Sequence, residues 1–129
     1  MVEGGKENEI KAGIVCENIE ESIKFYRNVL GFILPEDANK SYISIRKGNV
    51  VLGLGEMKNL RENHPVKVSS GQRIGLGVEI VLEVENIKDV YKKVIEEDYP
   101  NQTELTNRPW GLEDFRIIDP DGYYLRITN

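Results

Sequence analysis

The closing stretch of the chain, Tyr123 to Thr128, alternates: Tyr123, Leu125 and Ile127 fall on one face and Tyr124, Arg126 and Thr128 on the other. Side chains of a strand point to opposite faces with a period of two, so this stretch predicts a half-buried strand with one apolar face and one carrying a fixed positive charge. The tetrapeptide before it, Asp119-Pro120-Asp121-Gly122, predicts a tight turn, with Pro setting φ and Gly supplying the positive φ that closes it. The same alternation runs through Ile10 to Cys16, with Ile10, Ala12, Ile14 and Cys16 on one side, and through Gly77 to Val84, with Ile80, Leu82 and Val84 opposed to Glu79, Val81 and Glu83. Shorter strands are predicted at Phe32 to Leu34, Tyr42 to Arg46, Val50 to Leu54, Thr103 to Thr106 and Asp114 to Ile118, with Lys47-Gly48-Asn49 as a hairpin turn.

Two stretches change period. Ile19, Ile23, Tyr26 and Leu30 are spaced by four, three and four, which predicts an amphipathic helix from Ile19 to Leu30, started by Asn18 with Glu21 as a capping box and ended at Gly31. Each such side chain, once buried, contributes about 1.5–3 kcal/mol. Ile87 to Glu96 repeats the arrangement, with Asn86 and Asp89 as the cap signal and Ile87, Val90, Tyr91, Val94 and Ile95 on the inner side. Cys16-Glu17-Asn18-Ile19 overlays Val84-Glu85-Asn86-Ile87 at an offset of about half the chain: strand end, acidic residue, cap, first apolar helical position. The reading is an α+β protein built as a duplicated βαβββ unit. Its paired modules form a cupped, partly open mixed β-sheet with the helices outside. The first module spans 8–56, a linker 57–75 and the second module 76–129, together one domain. A short helical turn is expected around Lys58 to Glu62, and residues 1–8 and 35–40 read as a loose arm and a polar loop.

Composition narrows the function classes. With 129 residues the chain is long enough for a real core. A net charge of −5 argues against nucleic acid as a main partner. No apolar run is long enough to span a membrane, and the polar, acidic start does not read as a secretory signal. The single cysteine, Cys16, allows no internal disulfide, which fits a reducing cytoplasm; on the helix side of its strand it reads as a small buried apolar residue. The single histidine, His64, falls in the linker without a partner nearby in sequence.

Asn18-Ile19-Glu20 through Phe25-Tyr26-Arg27-Asn28-Val29-Leu30-Gly31-Phe32, and Pro109-Trp110-Gly111 through Phe115 to Asp119-Pro120-Asp121-Gly122, occur in this order toward the two ends of the chain. In these two stretches the sequence resembles the vicinal oxygen chelate superfamily, the glyoxalase I, bleomycin-resistance and extradiol-dioxygenase group. The resemblance implies paired βαβββ modules, a homodimer and a small molecule held in a cupped sheet. It also implies a divalent metal, held by one residue on the first strand of each module and a Glu on a late strand of each. Here those positions align with Lys11, Glu79, Arg126 and, on the late strand of the first module, Leu52. A protonated Lys has no lone pair, Arg is not deprotonated in proteins, and Leu has no donor atom. One carboxylate does not make a metal site.

The expectation is a small-molecule-binding protein without metal or other cofactor. Lys11, Glu79 and Arg126 either orient an acidic or zwitterionic ligand or form a plain structural ion pair. Trp110 and Tyr124, with Tyr42, either line the ligand pocket or pack as ordinary core or interface residues. Glu83 reads as a rim or surface charge. The alternative is a glyoxalase-like lyase or isomerase, with metal on Glu56, Glu79 and Glu83 or with Glu79 alone as acid and base. No nucleic acid or membrane partner is expected, and a homodimer is.

Overall fold

In the computed structural model the chain is described at residues 8, 10–36, 42–69 and 72–129. Most of the predicted arm at 1–8 and of the loop at 35–40 lies outside them. The first sheet has strand order β1-β3-β2, from β1 (Ala12–Cys16), β2 (Tyr42–Lys47) and β3 (Val50–Glu56). β1 runs parallel to β3 and β2 antiparallel to it, and Ile33 adds one bridge to Arg46 at the far edge. The second sheet has order β4-β7-β6-β5, from β4 (Glu79–Glu83), β5 (Thr106–Asn107), β6 (Glu113–Ile118) and β7 (Tyr124–Thr128). Here β4 is parallel to β7, and the β6–β7 hairpin is antiparallel. The architecture is α+β with two small open sheets.

The helices start where the cap signals place them. Asn18 accepts the N–H groups of Glu20 and Glu21 at the head of α1 (Ile19–Lys24), and Asn86 accepts that of Asp89 at the head of α2 (Ile87–Glu96). The first helix departs from the predicted uniform run to Leu30. From Phe25 to Val29 it widens into a π-turn, with the Leu30 N–H on the Phe25 carbonyl at 3.3 Å. Phe25, Tyr26, Val29 and Leu30, spaced i, i+1, i+4 and i+5, are all buried on the inner side of this segment. Phe25 stacks against Tyr26 and Tyr99, and Tyr26 against Phe32.

Both sheets turn their apolar side chains toward the helices. Ile14, Cys16, Ile43, Ile45, Leu52 and Leu54 do so in the first, and Leu82, Phe115, Ile117, Leu125 and Ile127 in the second. Two predicted inner positions fall outside this core. Ile10 is almost fully exposed, because the paired part of β1 begins only at Ala12, and Ile95 is half exposed at the last turn of α2. The short helical turn expected around Lys58 to Glu62 is a 3₁₀ turn at Met57–Asn59, and Met57 and Ile74 are buried at either end of the segment after β3.

The Asp119–Gly122 turn joins the halves. Asp119 is buried; its Oδ1 accepts the N–H groups of Asp121, Gly122 and Tyr123, and its Oδ2 accepts the Tyr26 hydroxyl at 2.7 Å. Asp121 accepts the Glu17 N–H and the Ser22 hydroxyl. Tyr123 lays its hydroxyl on the free edge of β1, donating to the Val15 carbonyl and accepting the Val15 N–H. Gly122, at φ 106°, takes the left-handed conformation that lets the turn close.

Candidate functional site

Glu79, Tyr124 and Arg126 lie on the face that the second sheet turns away from its helix, and Tyr42 on the corresponding face of the first. In the first sheet the β1–β3 part of this open face carries few side chains: Gly13 on β1 pairs with Gly53 on β3, and Gly55 faces Tyr42 across the ladder. The missing side chains leave room for the Tyr42 ring, which lies over Gly53. A Cβ built there would stand 2.6 Å from the ring carbon that carries the hydroxyl. Beside the ring is a cavity of about 350 Å³ lined by Gly13, Val15, Tyr42, Gly55, Asn59 and Leu60 among others. The linker supplies its outer wall.

The open face of the second sheet is charged. Asp114 on β6 is buried, and its Oδ1 accepts Nε and Nη2 of Arg108 at 3.0 and 2.7 Å. The Arg108 guanidinium, with Arg116 and Arg126 beside it, holds the Asp114 carboxyl below the usual carboxylate range. The Arg116 Nε stands 3.6 Å from the same oxygen. Arg126 faces Arg116 across the ladder, and its Nε lies 3.5 Å from Oε2 of Glu79.

Of the residues singled out from the sequence, Arg126, Glu79 and Tyr124 lie together, since Glu79 and Tyr124 are register partners on β4 and β7. Lys11 is exposed just before β1, on the other sheet. Trp110 is at the tip of the β5–β6 hairpin, where the Arg108 N–H reaches the Leu112 carbonyl, and is 66% exposed. Leu52 is not an open-face residue. It is buried on the helix side, and the register makes Gly53 the counterpart of Arg126, since Gly53 pairs with Gly13 as Arg126 pairs with Val81.

The carboxylates Glu56, Glu79 and Glu83 are not gathered. Glu56 ends β3 beside Lys58, the other two are on β4, and among the described residues no group of three or more His, Cys, Asp or Glu could hold a metal ion. Cys16 is fully buried, and desolvation pushes its thiol up to about 12, so it stays protonated at neutral pH. His64 sits in a turn, its Nδ1 accepting the Val66 N–H.

Arg108, Asp114 and Arg116 are the members the sequence reading passed over. The signal was present: Asp114, Arg116 and Ile118 alternate with Phe115 and Ile117, and a turn at 119–122 sets Arg116 opposite Arg126.

Among the described residues no helix is long and apolar enough to cross a membrane. The family model described as Glyoxalase/Bleomycin resistance protein/Dioxygenase superfamily matches residues 10–127. No curated protein matches significantly. Several crystal structures share the fold. A protein of unknown function from Agrobacterium tumefaciens str. C58 superposes with a TM-score of 0.75 at 21% identity, covering 96% of this chain and 94% of that one. A glyoxalase/bleomycin resistance protein/dioxygenase from Nocardioides gives 0.73 at 18%, covering 96% and 83%. A lactoylglutathione lyase from Agrobacterium tumefaciens gives 0.68 at 13%, covering 96% and 94%. At these identities the likeness is one of fold.

Proposed function

The chain belongs to the glyoxalase/bleomycin resistance protein/dioxygenase superfamily, and from that premise we propose that it is a metal-free member. In this reading it binds a small acidic or zwitterionic molecule on the open sheet faces without transforming it. The observation that carries the reading is the residue set at the positions where the resemblance puts metal ligands. With the observed register these are Lys11, Gly53, Glu79 and Arg126. Neither cation has a lone pair to give, Gly53 has no side chain, and Glu79 lies against the Arg126 guanidinium. This set does not fit a divalent metal. It fits an anion, because guanidinium binds carboxylates through parallel charge-assisted hydrogen bonds.

Metal analysis of the purified protein, with melting in the presence and absence of chelator, tests the reading. The expected result is substoichiometric metal and a chelator-independent Tm. Stoichiometric zinc, nickel or iron with a chelator-sensitive Tm would overturn it, since a metal bound only by the folded state stabilises that state. Turnover of a lactoylglutathione-type substrate, abolished by Glu79→Gln, would favour the lyase alternative.

The same reading includes a homodimer in a reducing cytoplasm. Tyr42, Val66, Val81 and Trp110 are between 43% and 66% exposed, which leaves apolar side chains for a second copy to cover. A second copy covering such faces follows the common symmetric pattern. Sedimentation at micromolar concentration is expected to show a dimer; a clean monomer contradicts it.

A further inference from the structure

The β6–β7 register sets Arg116 and Arg126 directly opposite each other on the open face of the second sheet. Like charges in that relation repel and are destabilising unless something between them compensates. The carboxylates nearby do so only in part. Asp114 is engaged by Arg108 through two hydrogen bonds to one oxygen, and Glu79 stands next to Arg126. Three guanidiniums thus share two carboxylates. The deficit shows at one atom: the Arg116 Nε is buried and, among the described residues, has no hydrogen-bond partner, Asp114 being 3.6 Å away. A buried donor without an acceptor is destabilising, so its persistence calls for an explanation.

We propose that the Arg116–Arg126 pair is the seat of a ligand carboxylate. Asp114, locked by Arg108, forms the floor beside Arg116, and Glu79 flanks Arg126. The inference rests on the metal-free binding reading and refines it: the anion is taken by one sheet, and Lys11 has no part in it. Among these paired groups one positive charge is left over, which matches a monoanionic carboxylate better than a phosphate of higher charge, and the guanidinium forks hold a carboxylate through parallel hydrogen bonds. The surplus also sets the order of events. Without ligand the pair is strained by its own charge, and the carboxylate relieves the repulsion while supplying the missing acceptor.

The test is a titration of the full-length protein at constant ionic strength with sodium benzoate, with inorganic phosphate and with benzyl alcohol. It is followed by the arginine Nε–H resonances and by calorimetry. Benzoate is expected to shift the Arg116 and Arg126 resonances, benzyl alcohol to shift neither, and phosphate to bind more weakly than benzoate. Arg116→Gln and Arg126→Gln are expected to weaken benzoate by about thirty-fold or more, as for a truncated desolvated charge pair. Lys11→Gln should change it by less than about three-fold, as for an exposed charge. Arg116→Lys, which keeps the charge and loses the fork, should fall between and guards against a glutamine variant that fails to fold.

Benzoate binding that ignores Arg116→Gln and Arg126→Gln overturns the seat and leaves the metal-free binding reading intact. Phosphate binding without benzoate binding overturns the carboxylate assignment. No response to either anion overturns the seat, and if the protein also carries stoichiometric metal, the functional reading falls with it.

Discussion

The two modules share a backbone plan and differ in what they show the outside. Both have a parallel pair of strands at one edge, an antiparallel neighbour next to it and an Asn-capped helix on one face. On the helix side the correspondence is close in kind, Leu52 and Leu54 against Leu125 and Ile127. On the open side, Gly13, Gly53 and Gly55 with a covering Tyr42 stand against Val81, Arg126 and Thr128 with a buried Asp114 below. Core packing constrains one face of a strand and leaves the other free, so a duplicated unit can keep its fold while its two copies acquire opposite surface chemistry.

The comparison can be broken first at the turn that only the second module carries. Asp119→Ala removes the acceptor for three backbone N–H groups and the Tyr26 hydroxyl. Urea denaturation is expected to show a loss of about 3–4 kcal/mol, several unsatisfied buried donors being left behind. A loss below about 1 kcal/mol would mean that the modules hold together without the turn.

Next in size is the acid side of the stability profile. The folded-state value of Asp114 lies below its ordinary 3.8, chiefly through the Arg108 hydrogen bonds. Its contribution is therefore present above the unfolded value and is lost as the pH falls below it toward the folded value. Tm measured from pH 6 down to about 2 should fall more steeply in the wild type than in Asp114→Asn, and the two curves should converge at the acid end. Parallel curves would detach Asp114 from the second module's charge balance.

A smaller effect probes the bare face of the first module. Gly53→Ala drives a Cβ into the Tyr42 ring and is expected to cost about 1–2 kcal/mol, most of it recovered in the Gly53→Ala/Tyr42→Ala double variant. Additive costs would show that the ring does not depend on the glycine. The smallest test compares the caps. Asn18 serves two N–H groups and Asn86 one, so Asn18→Ala should cost about 1 kcal/mol and Asn86→Ala about half that. Equal losses would make the caps equivalent.

Local features were legible in the sequence. The caps, the Asp119–Gly122 turn, α2 and the alternation of β7 each depend on residues a few positions apart, and the structure has them where the pattern puts them. What pairs at a distance was read less well. Leu52 was taken for the partner position of Arg126 because β3 was counted without its ladder, and a slip of one residue exchanges the faces of a strand. Aligning Leu52 and Leu54 with Leu125 and Ile127 gives Gly53 directly. Arg108 and Asp114 were missed for a related reason: their partnership spans a hairpin tip, and neither residue alone carries a motif.

The contact between Tyr26 and Asp119 joins residues 93 positions apart in the sequence, which bears on how the protein is born. On a ribosome the first module emerges whole while Asp119 and Tyr123 are still to be made, so the edge of β1 at Val15 meets the cell with its amide and carbonyl open. An uncovered strand edge is a template for pairing with other chains. Emergence of Asp119 to Tyr123 closes that edge with a phenol hydroxyl, and a chain stalled before them keeps it open.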